Sequence, residues 1–108
     1  MSSKISPVFY RSVAGINANG TGVVIDMTAA PKSRFTMNVI RTAGATDTVS
    51  IALEGSLDNS NWIALGSITD VTSGKATTSV VDKPARHLRY NVVTVGAGNT
   101  HMIQLLAA

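Results

Sequence analysis

Apolar and polar residues alternate along most of this chain, and the alternation is clearest between residues 48 and 65, TVSIALEGSLDNSNWIAL. Val49, Ile51 and Leu53 fall on one face of a strand, with Ser50, Ala52 and Glu54 on the other. Gly55 breaks the run, the side chains from Asp58 to Asn61 favour a turn, and Trp62-Ile63-Ala64-Leu65 resumes as a partner strand. Similar runs recur at 7–13, 22–27, 34–41, 48–54, 62–68, 77–81, 88–95 and 101–106, with turn-rich stretches between them. No segment carries a 3.6-residue apolar repeat, and residues 27–31 have room for one helical turn at most. The pattern predicts an all-β fold, a single-domain β-sandwich or jelly roll of about eight short antiparallel strands.

The same alternation selects a core. Phe35, Met37 and Val39 point one way, as do Leu88, Tyr90 and Val92, and Ile103 with Leu105. Leu106 beside Leu105 predicts burial on both sides of the last strand, which is expected to be ordered and central. A neighbouring copy is expected to cover the second side if the monomer does not. Residues 1–6 read as a flexible polar segment and 7–108 as the domain. Pro7 removes a ladder donor, so residues 2–10 are expected at a sheet edge or as an arm offering Phe9 or Tyr10 to a neighbour. The alternative is that 8–13 is the first strand of the domain, with residues 2–6 reaching outward from it.

Composition narrows the function more than it defines it. The chain has 108 residues, of which 14% are charged and 44% hydrophobic, against a usual charged share of about 25%. Such a neutral, hydrogen-bonding surface suits protein contacts. The net charge of +3 is a small surplus of scattered Lys and Arg. Only residues 83–89 form a basic cluster, with one aromatic neighbour, so no nucleic-acid partner is expected. There is no cysteine, which removes disulfides and thiolate metal sites and fits assembly in a reducing cytoplasm. No apolar run approaches the roughly 18 residues of a membrane helix, and the N-terminal stretch lacks the apolar core of a signal peptide.

Reaction chemistry is not evident. His87 and His101 lack any metal-ligand spacing, and Arg86 and Arg89 flank His87. His101 reads as a structural or solvent-facing strand residue. No Gly-x-Ser-x-Gly is present, and neither Gly20-Thr21-Gly22 nor Gly96-Ala97-Gly98 opens a helix that would cradle a phosphate. Asp58, Asn59 and Asn61 lack the spacing of a calcium loop and read as turn formers. Trp62 reads as a cap on one end of the core, its indole N–H meeting a loop carbonyl, with a sugar-stacking or partner-binding platform as the alternative. The expectation is a protein without catalysis, metal, organic cofactor or small-molecule substrate.

The stretch Glu54-Gly55-Ser56-Leu57-Asp58-Asn59-Ser60-Asn61-Trp62, flanked by strands, resembles a hairpin of small β-sandwich virion proteins of tailed bacteriophages, of the capsid decoration or cement type. Discoidin-like jelly rolls carry a similar Ser-x-Asp-Gly-x-x-Trp hairpin, so the motif marks an architecture before a function. Asn59 stands where Gly is commoner, a small departure because Asn tolerates left-handed backbone. The resemblance implies a homo-oligomer, commonly a trimer, that sits on the capsid surface and braces the major capsid protein. Phe9, Tyr10, Trp62, Arg86 and Arg89 are the candidate partner contacts. A carbohydrate-binding jelly-roll module, or a tail, neck or adaptor component of a virion, are the alternatives. Far-UV circular dichroism is expected to show less than about a quarter helix, against a general average near one third; a larger share contradicts the all-β reading.

Overall fold

Phe35, Met37 and Val39 are buried, the residues between them are half exposed, and the same rhythm runs through Val49, Ile51 and Leu53 and through Ile103 and Leu105. Period-two burial of this kind places one face of each strand against a second sheet. The computed structural model describes residues 8–96 and 98–108. It contains nine strands: β1 Phe9–Ile16, β2 Gly20–Thr21, β3 Ile25–Asp26, β4 Phe35–Ala43, β5 Thr48–Ser56, β6 Ile63–Asp70, β7 Lys75–Val80, β8 His87–Thr94 and β9 Thr100–Ala107. A short 3-10 turn, Thr72–Gly74, leads into β7. One sheet runs β1-β9-β4-β7 and the other β2-β8-β5-β6, with β3 also paired to β8 and every pairing antiparallel. The fold is an all-β sandwich around one core, and among the described residues no helix is long and apolar enough to cross a membrane.

Several expected boundaries move. The single run at 22–27 is two short strands, β2 and β3, each paired to a different part of β8. Gly22 lies between them because the Tyr90 ring occupies the space a Cβ would need, and its amide still donates to the Tyr90 carbonyl at 2.9 Å. β7 starts at Lys75, two residues early, and β6 starts at Ile63 and leaves Trp62 outside the strand. Leu106 is 39% exposed, so β9 is not buried on both sides. It is nonetheless central, between β1 and β4. The expected flexible segment 1–6 and Pro7, and with them most of the expected arm of residues 2–10, lie outside the described residues, as does Ala97 of the Gly96–Gly98 loop. Within the described part, Phe9 begins β1 and packs against its own core.

One end of the sandwich is sealed by a buried amide. Asn99 donates through Nδ2 to the carbonyls of Thr46 (2.7 Å) and Val95 (3.4 Å), and its Oδ1 accepts from the Thr46 amide at 3.3 Å. This ties the β4–β5 loop to the β8–β9 loop. Gly44, at φ +93°, lies so close to the Asn99 side chain that no Cβ fits there.

Near the same end His101 points inward from β9 with 0% exposure, and neither ring nitrogen has a hydrogen-bond partner among the described residues. Histidine inside an apolar core is tolerated as the neutral imidazole, since burying the cation is far more costly. Burial, and then the Arg41 charge, push its pKa below the ordinary 6.5. The unfolded chain therefore takes up the proton first, so stability is full above about pH 6.5 and declines as pH falls toward the lowered folded value. Asp26 and Asp58, held below their ordinary 3.8, titrate outside this window. The thermal midpoint is expected to drop between about pH 6.5 and 5.5 in the native protein and to stay flatter in His101→Leu, as read by calorimetry. Equal slopes in the two proteins contradict this role for His101.

Candidate functional site

The hairpin between β5 and β6 is built by two side chains that replace backbone partners. Ser56 Oγ accepts from the amides of Asp58 (3.3 Å) and Asn59 (2.9 Å) and donates to Asp58 Oδ1 at 3.0 Å. Asp58 Oδ1 in turn accepts from the amides of Ser60 (2.9 Å) and Asn61 (2.8 Å), and Oδ2 accepts from Asn61 Nδ2 at 2.6 Å. The Asn61 and Ser60 amides, with the Asn61 side chain, hold the Asp58 carboxyl well below the usual carboxylate range. Asn59 takes φ +62°, the left-handed geometry its residue type tolerates. The cluster is a self-satisfied Asx turn, as expected, with its oxygens already engaged.

That turn shapes one wall of a cleft of about 390 Å³ at the end of the sandwich opposite the Asn99 clamp. Leu57, Ile63 and Leu65 line one side, and Pro84 and Ala85 of the β7–β8 loop line the other. Ile63 pairs with Gly55 and shares its core-facing side, but Gly55 contributes no Cβ to cover it. A Cβ at Gly55 would lie 2.8 Å from Leu65 Cδ1 and 3.0 Å from Ala85 Cβ, so these two side chains already pack over the glycine. Leu57 and Ile63 are 64% and 68% exposed. At the rim, Lys83 Nζ donates one bond to the Leu65 carbonyl at 3.4 Å, and the Asp58 and Asn61 side chains bond each other.

The five candidate contact residues do not converge on one point. Trp62 and Arg89 meet: the guanidinium carbon stands 4.0 Å from the ring centroid, on the outer face of the β2-β8-β5-β6 sheet. Arg89 Nε also donates to Glu54 Oε1 at 2.8 Å, while Asn91 Nδ2 donates to Glu54 Oε2 at 3.2 Å. Trp62 is thus half-buried under an arginine on the outside of the sheet and is not among the residues of the core cluster, contrary to the reading of it as an end cap. Arg86 is exposed beside the cleft, its amide donating to the Ser56 carbonyl at 3.0 Å. Phe9 belongs to the core margin, and Tyr10 lies on the outer face of the other sheet. The cleft was not anticipated; its signal in the sequence is Gly55 within an otherwise apolar inward row.

His87 Nδ1 is buried, without a hydrogen-bond partner among the described residues, 3.9 Å from Asp26 Oδ1. Asp26 accepts from the hydroxyl and amide of Thr28, and these bonds lower its pKa. No group of three or more His, Asp or Glu side chains gathers around a possible metal position among the described residues.

The sequence matches no protein-family model and no curated protein. Solved structures do match in shape. The SPBc2 prophage-derived protein YomS aligns over 99% of this chain and 100% of its own, with TM-score 0.56 and 10% identity. CpGH89CBM32-6, produced by Clostridium perfringens, aligns over 87% of this chain and 74% of its own, with TM-score 0.53 and 16% identity. A Bacillus endospore appendage protein of disulfide-linked pili aligns over 99% and 94%, with TM-score 0.51 and 10% identity. At these identities the likeness establishes the sandwich fold.

The hairpin makes a direct prediction. Ser56 is buried and satisfies two amides, so Ser56→Ala is expected to cost about 1–2 kcal/mol, or several degrees in thermal midpoint. An unchanged midpoint contradicts the turn's dependence on that hydroxyl.

Proposed function

We propose that this chain is a structural subunit of a tailed-bacteriophage virion, a decoration protein that docks on the major capsid protein and braces the shell. The observation that carries the reading is the apolar cleft beside Leu57 and Ile63, whose rim carboxylate, Asp58, is already bonded within the protein. The apolar lining of such a cleft has little to offer a highly hydroxylated ligand. It suits an apolar side chain presented by another protein, the anchor-in-pocket arrangement at the centre of many interfaces. The hairpin's resemblance to phage virion proteins and the full-length likeness to a prophage-derived protein support the virion setting.

A carbohydrate-binding role is the second reading, favoured by Trp62 with Glu54 and Asn91 beside it and by the likeness to CpGH89CBM32-6. Against it, Arg89 covers Trp62, and both Glu54 oxygens are engaged. Titration against soluble glycans with Trp62 fluorescence as the reporter separates the two readings.

The direct test is co-sedimentation with purified heads of the phage or prophage whose genome encodes the chain. Replacing Ile63 by Asp puts a charge into the cleft at an exposed position and is expected to weaken binding by at least about tenfold, with the fold intact. Unchanged occupancy by Ile63→Asp removes the cleft from the mechanism.

A further inference from the structure

The outer face of the β1-β9-β4-β7 sheet differs in character from the rest of the surface. Strand register lines up Tyr10, Leu106 and Thr36 in one row. The next outward row runs Ser12, Gln104, Asn38 and Thr77, joined at its centre by Asn38 Nδ2 donating to Gln104 Oε1 at 3.3 Å. A third row holds Met102, Ile40 and Lys75. Tyr10 is 60% exposed, and Met102 and Ile40 are half-buried without reaching the core. The charged residues of this face, Lys75 and Arg34, stand at its opposite ends. The other sheet's outer face instead carries the paired charges of Arg89 and Glu54.

We propose that this face is where two copies of the chain meet, sheet against sheet. A second copy fits because the surface is self-complementary in the simplest sense: it brings no charge to its centre, so a two-fold related copy meets no unpaired ion there. Both cations fall at the rim, where water screens them. The area also fits. Four strands about 4.8 Å apart and about 26 Å long cover roughly 500 Å² per copy, or about 1,000 Å² in all, the lower bound for a specific interface. The pair is therefore weak and concentration-dependent. Sheet-on-sheet packing closes on itself as a dimer, whereas the trimer implied by the virion resemblance needs contact between two different surfaces. The proposal goes beyond the capsid reading and does not depend on it, since the docking cleft lies on another part of the sandwich.

Sedimentation velocity of the full chain from about 1 to about 200 µM is expected to show a monomer–dimer equilibrium that persists in about 1 M salt, because no ion pair holds it. Thr77 is exposed on β7 and opposite Asn38, so Thr77→Glu brings an uncompensated charge into the neutral middle row and is expected to raise the dissociation constant at least tenfold. Gln104→Glu is the second variant, and an unchanged thermal midpoint in either shows that the fold is intact. Ile63→Asp is expected to leave the dimer untouched, which separates this face from the capsid-docking cleft. A monomer across the whole range, a trimer, dissolution of the dimer by salt, or a dimer indifferent to both face variants overturns the proposal.

Discussion

The interaction on which everything else depends is the packing of β4 and β9 against β5 and β8. Phe35, Met37 and Val39 with Ile103 and Leu105 press from one sheet toward Ile51, Leu53 and Leu88 of the other, and all are buried. Truncating one large member of such a core to alanine typically costs about 2–5 kcal/mol, against a total stability of about 5–15 kcal/mol for a domain of this kind. With four strands committed to that core, the periphery has to be economical. β2 and β3 are two residues each and do little beyond extending the second sheet along β8.

The two ends of the sandwich solve the same problem in opposite ways. At one end Asn99 spends its amide on three loop contacts, and glycines with positive φ at positions 44, 96 and 98 let the loops close over it. At the other end the inward row of β5 finishes on Gly55, and the apolar side chains of Leu57 and Ile63 are left exposed. A sealed end contributes stability. An open apolar end contributes less and is available to a partner, which is why the functional reading rests there.

Local features were legible in the sequence. The inward rows of β4, β5, β8 and β9 follow directly from period-two alternation, and the Ser56–Asn61 turn follows from residue types that bond their own backbone. What was not legible is non-local. Nothing near Arg89 in the chain announces that it will stand over Trp62 and bond Glu54, because strand pairing brings those residues together. The break between β2 and β3 depends on Tyr90 filling the space beside Gly22, a contact 68 residues away in sequence. Leu106 looked buried beside Leu105, but an adjacent position on a strand faces the opposite side, and here that side is the neutral outer face.

The central claim is that the open end of the sandwich is the docking surface. Hydrogen exchange of the free protein against the protein bound to purified phage heads tests it most directly. The account predicts new protection in the hairpin at 56–63 and the loop at 83–86, with the Asn99 end unchanged. Protection confined to the Asn99 end, or to the outer face bearing Trp62 and Arg89, would contradict it.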